Sequence, residues 1–71
     1  MSNKATMHMV AKVVIQNERG LYLRTLNKDK QPLYTEKLKN AKDFPSMWRA
    51  EKYIEVYKLA DNGLEAMEVI A

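Results

Sequence analysis

The alternation of apolar and polar residues from 8 to 16 constrains this chain more than any other feature. Met9, Ala11, Val13 and Ile15 fall on one parity; His8, Val10, Lys12, Val14 and Gln16 fall on the other. Period two with β-branched residues predicts a strand. Asn17-Glu18-Arg19-Gly20 follows. Asn suits the first position of a type I turn, and Gly supplies the positive φ of a following bulge. Residues 21–26 then read as the return strand. With a loop at residues 18–20, Asn17 faces Leu21, Ile15 faces Leu23 and Val13 faces Thr25. This register gathers Met9, Ala11, Val13, Ile15, Leu21 and Leu23 on one face, so turn chemistry and apolar pattern agree.

Further along, residues 27–31 form a polar connection, and Pro32 can begin an edge strand but not a central one. Residues 33–35 read as a short third strand. Leu38, Ala41 and Phe44, spaced by three, predict a helical turn that plugs one end of the core. Ser46, just after Pro45, is a good N-cap for a helix over about 47–59. Met47, Ala50, Tyr53, Ile54 and Tyr57 share its inner face, while Arg49, Lys52 and Glu55 lie elsewhere. Asp61-Asn62-Gly63 stops the helix. Residues 67–70 read as a last strand, able to pair parallel to an earlier one through a right-handed crossover. The expected fold is α+β, in the order β-β-(β)-α-β: a small, twisted, mainly antiparallel sheet with one helix on one face.

At 71 residues the chain is expected to be a single domain, with residues 1–6 frayed. It has no cysteine, so no disulfide supports it. No apolar stretch is long enough for a membrane span, and residues 1–7 lack the apolar core of a secretory signal. The formal charge of +3 is unevenly spread. Arg24, Lys28, Lys30, Lys37, Lys39 and Lys42 oppose only Asp29 and Glu36, a balance of +4, whereas residues 43–71 carry −3.

Chemistry-bearing patterns are missing. His8 is the single histidine and has no ligand cluster at metal spacing. Ser46 reads better as a cap than as a nucleophile. The two glycines belong to turns rather than to a phosphate loop. The expectation is therefore no enzyme, no cofactor and no metal. Trp48 falls in the first helical turn and reads as a side chain closing the core beside Phe44, with an exposed partner anchor as the alternative.

The sheet face opposite the helix is the leading candidate site. In the expected register it shows Val10, Lys12, Val14 and Gln16 beside Tyr22, Arg24 and Leu26, with Tyr34 joining them. Such a face is too apolar to be simply solvated. It suits a protein partner, a second copy in a dimer, or nucleic acid stacked on Tyr and held by Lys12, Arg24, Lys37 and Lys39. The plainer alternative is a helical turn from residues 36–44 lying over part of it.

The run Gly20-Leu-Tyr-Leu23, the strand end Tyr34-Thr35, Ala41-Lys-Asp-Phe44 and the inward Ala50 resemble a pattern in short phage and prophage proteins of Gram-positive bacteria. There a G-x-Y-L strand leads to A-x-x-F and then to a helix. Here Leu21 and Tyr22 stand in shifted order. The resemblance covers about residues 20–57. It implies a fold and a phage or prophage neighbourhood, not an activity. Taken with the small size, the absent chemistry and the mixed apolar sheet face, it leads to the expectation of a small accessory protein in the cytoplasm of a bacterial host cell, acting by binding a protein partner so as to modulate or inhibit a host function. The opening hairpin is also similar to that of Nudix hydrolases, but the Glu-rich metal box and the length of those enzymes are missing. Three strands followed by a helix is similar to integrase arm-type DNA-binding domains, which keeps a small DNA- or RNA-binding module as the alternative function.

Overall fold

The computed structural model describes residues 11–70. Four strands, β1 (Ala11–Gln16), β2 (Tyr22–Leu26), β3 (Pro32–Thr35) and β4 (Glu65–Ile70), make one antiparallel sheet in the order β3-β2-β1-β4. One helix, α1 (Met47–Val56), packs on one face. This is the α+β architecture read from the sequence. The expected extension of the first strand to His8, with Met9 inward and Val10 outward, lies outside the described residues.

Both hairpin turns use the same device. Asn17 Oδ1 accepts from the N–H groups of Arg19 and Leu21 at 2.9 Å, and Asn27 Oδ1 accepts from those of Asp29 and Gln31. An Asn side chain that binds its own backbone two residues on stabilises such turns. The fourth residue of each turn is left-handed: Gly20 in the first and Lys30, at φ 65°, in the second.

The β1–β2 register holds at the turn, where Gln16 pairs with Tyr22 and Asn17 N–H donates to Leu21 C=O. Beyond it the two strands splay. Val13 does not face Thr25, as the sequence suggested; Phe44 N–H donates to Val13 C=O at 3.0 Å, and Lys42 N–H donates to Leu23 C=O at 2.9 Å. Residues 42–44 fill the opening between β1 and β2. A hairpin can open this way only if its inner backbone groups find replacement partners, and these two bonds supply them.

The chain reaches that opening by crossing the outer face of the sheet. After β3 it makes a 3-10 turn at Leu38–Asn40, and Lys12, on the outer face of β1, donates to Leu38 C=O at 2.8 Å. The predicted helical turn therefore exists, but it lies over the outer face instead of plugging an end of the core. Val14, on the same outer face, is fully buried.

The inner face holds Val13, Ile15 and Leu23, packed with Phe44, Ala50, Leu59 and Leu64. Ala11, expected in this group, is exposed. Ser46 caps α1, its hydroxyl accepting from Arg49 N–H at 3.2 Å. The helix ends three residues before the expected Leu59. Lys58 turns left-handed and a second 3-10 turn, Leu59–Asn62, puts Leu59 into the core. Gly63, also left-handed, then starts the return.

The last strand corrects the crossover expectation. β4 pairs antiparallel with β1 along its whole length, from Gln16↔Glu65 to Ala11↔Ile70, and forms an edge. The reason is where the chain re-enters the sheet. A Cβ built on Gly63 would lie 3.0 Å from Glu18, so β4 starts beside the first turn and must run back against β1.

Candidate functional site

The outer sheet face does not assemble the six residues the sequence nominated. Lys12 is committed: its ammonium binds Leu38 C=O and lies 3.3 Å from Asp43, with little side-chain exposure. Tyr34 pairs with Leu23 and packs against the core, so it stands on the opposite face. Leu26 also packs inward. The cause is a bulge between Leu23 and Thr25, where β2 shifts register against β3. One extra residue in a strand reverses the facing of everything after it, and alternation in the sequence does not reveal it.

Tyr22 remains on the outer face, half-buried opposite Thr35. Arg24 is exposed at the bulge. Lys37 and Lys39 are exposed on the segment that crosses this face, where Lys37 N–H donates to Thr35 Oγ1. The apolar surface expected here is largely taken up by the chain's own crossing.

A second cluster was not foreseen. Phe44 meets Tyr53 edge-on at 5.1 Å between ring centres, and Tyr53 meets Tyr57 at 4.7 Å. Lys42 lies over Phe44 and Tyr53, at 5.6 and 5.4 Å, and Lys30 lies 5.8 Å over Tyr57. Each such cation–π contact is worth about 0.5–1 kcal/mol near the surface. Burial first, and the neighbouring Tyr57 second, raise the Tyr53 phenol above its ordinary 10.0. A raised acid keeps its stabilising neutral form below the unfolded value, and the contribution is lost as pH rises through the folded one. Wild-type protein is thus expected to lose more melting temperature than Tyr53→Phe between about pH 9 and about pH 11, a range that brackets a phenol. Equal losses in the two melting curves would refute the linkage. The row reads as a clasp between the second turn, the crossing segment and α1, with its aromatic faces already occupied by lysines.

The third surface is on α1. Trp48 is 63% exposed, which corrects the expectation that it closes the core. The helical phase explains this: Met47, Ala50, Tyr53 and Ile54 turn inward, and Trp48 one residue after Met47 turns out. It lines a shallow, open depression with Glu51, Lys52 and Glu55, and Lys52 and Glu55 form an ion pair at 3.3 Å. Its exposure was signalled in the sequence by the Arg49, Lys52 and Glu55 face, to which residue 48 is adjacent.

Among the described residues no group of three His, Cys, Asp or Glu could hold a metal ion. Among them, too, no helix is long and apolar enough to cross a membrane. His8 lies outside the described residues. No family model, curated protein or solved structure matches the chain.

Proposed function

We propose that this chain is a small phage-type accessory module that works by binding another protein through the outer face of α1. The observation that carries this reading is Trp48. A domain of this size has few large side chains for its core, yet its single tryptophan stands in solvent. Tryptophan is the residue most enriched among interface anchors, and a polar rim around it is the usual setting. Glu51, Lys52 and Glu55 supply that rim. The hairpin and A-x-x-F resemblance over residues 20–57 supports the phage-type part of the reading.

Binding of nucleic acid is the weaker reading. The carboxylates of Glu51 and Glu55 beside Trp48 would repel phosphate, Lys12 is neutralised by Asp43, and the lysine-covered rings of Tyr53 and Tyr57 are poor stacking platforms.

The test is capture from bacterial lysate with tagged full-length protein, wild type against Trp48→Ala, with and without nuclease. One partner protein should survive nuclease and bind the variant on the order of 30-fold more weakly, the size of a hot-spot loss of about 2 kcal/mol. Because Trp48 is the only tryptophan, its emission should shift to the blue when that partner is added. Capture unaffected by Trp48→Ala overturns the site, and capture abolished by nuclease transfers the function to nucleic acid.

A further inference from the structure

The hydrogen bonds inside the sheet decide which way each β4 residue points its backbone. Val13 C=O and Asn17 N–H both point toward the β2 side, the first to Phe44 and the second to Leu21. Facing alternates along a strand, so Lys12, Val14 and Gln16 point toward β4. Their partners there are Val69, Met67 and Glu65. Ala66, Glu68 and Ile70 consequently direct their N–H and C=O groups outward, along an edge that no strand among the described residues covers. The edge has no proline and no lysine, and its pairing with β1 is uninterrupted. Proline, lysine and bulges protect many edges from pairing, and here the protection rests on the charges of Glu65 and Glu68 alone.

We infer that two copies of this chain associate through this edge, β4 against β4 about a two-fold axis, making one eight-stranded antiparallel sheet. The sequence of β4 selects a second copy as the occupant. An antiparallel two-fold must centre on one residue so that equal faces align, and two centres lie within the strand's middle. Centring on Glu68 sets Glu68 directly opposite its own copy, and like charges directly opposite are destabilising. Centring on Met67 sets Met67 against Met67, Ala66 against Glu68 and Glu65 against Val69, so no acid faces an acid. In that register Ile70, 57% exposed in the single chain, falls opposite Leu64 of the other copy, whose side chain belongs to the core. The outward N–H and C=O of Ala66 bond to those of Glu68 in the other copy, twice by symmetry. Association is tested at residue 68 on β4 and the partner site at residue 48 on α1, so the two are read by different substitutions.

The pairing predicts opposite effects from two substitutions at one position. Glu68→Pro removes an N–H that points outward and spares the bonds to β1. Its symmetric loss of two hydrogen bonds should weaken association on the order of 30-fold. Glu68→Gln removes the diagonal repulsion between the two carboxylates and should tighten association at low salt, with the gain fading as salt screens the charges. Sedimentation velocity of the full chain across a range of concentrations reads both. If Glu68→Pro does not fold, amide exchange on the wild type replaces it. Ala66 and Glu68 N–H should gain protection as concentration rises, whereas Met67 and Val69 N–H should be protected throughout. A wild type that stays monomeric up to millimolar concentration overturns the inference. So does a Glu68→Pro dimer as tight as the wild type, or a concentration-dependent protection that falls on Met67 and Val69 instead.

Discussion

Phe44→Ala is expected to lower stability by about 3–5 kcal/mol, the usual cost of emptying a buried phenylalanine site. A chain of this length has roughly 4–10 kcal/mol in total, so the variant should lose about half of its stability and unfold at a much lower urea concentration. The size of the effect follows from what meets at residue 44. Its backbone N–H replaces a lost β1–β2 bond at Val13, and its ring touches Tyr53 edge-on under Lys42. Removing the ring empties core volume and releases the clasp on α1 together. Urea unfolding followed by circular dichroism checks this, and a loss below about 1 kcal/mol would mean that residues 42–44 do not brace the opening between β1 and β2. Phe44→Leu keeps most of the volume and should cost much less.

Gly63→Ala is the second large effect, and its sign can be set against that of a neighbour. Gly63 sits at φ 73°, and an added Cβ would lie 3.0 Å from Glu18 Cγ and Cδ. The left-handed conformation costs a residue with a Cβ about 1–2 kcal/mol, and Glu18 must also move. Lys58 occupies the same region at φ 56°, just after the C-cap of α1, where glycine is the common choice. Lys58→Gly should therefore stabilise, by roughly 0.5–1 kcal/mol, while Gly63→Ala destabilises. Thermal melts of both variants give the answer, and two shifts of the same sign would contradict the backbone account. Adding Glu18→Ala to Gly63→Ala should recover only the contact part of the loss, because φ is unchanged.

Part of the candidate surface was legible in the sequence and part was not. The helix face was readable because a 3.6-residue period assigns each side chain a direction, and Ala50 lies inward as that period requires. The size of Trp48 favours burial, but its helical phase turns it outward, and phase decides because Met47 and Ala50 already fill the inner face. Tyr34 and Leu26 were misassigned for a different reason. Strand parity is reliable only until a bulge, and the shift between Leu23 and Thr25 leaves no mark on the pattern of apolar residues. Lys12 was nominated as a phosphate contact because its charge is visible in the sequence, whereas its partners Asp43 and Leu38 are about thirty residues away. The aromatic clasp joins residues 30, 42, 44, 53 and 57, and no local spacing connects them.

The sequence by itself determined the elements that rest on neighbours along the chain: the Asn17–Gly20 turn and its register at Gln16 and Tyr22, the Ser46 cap, the inward stripe of α1 from Met47 to Ile54 (Tyr57, expected in it, is exposed past the helix end) and the α+β order. Each depends on a hydrogen bond or a periodicity within a few residues. Tertiary structure decided the rest: the crossing of residues 36–44 over the sheet, their insertion between β1 and β2, and the antiparallel placement of β4 at the edge. Those choices depend on which backbone groups remain unpaired after the local elements have formed. A buried N–H or C=O must find a partner wherever one is in reach, and that constraint acts through space, with no period for a sequence to display.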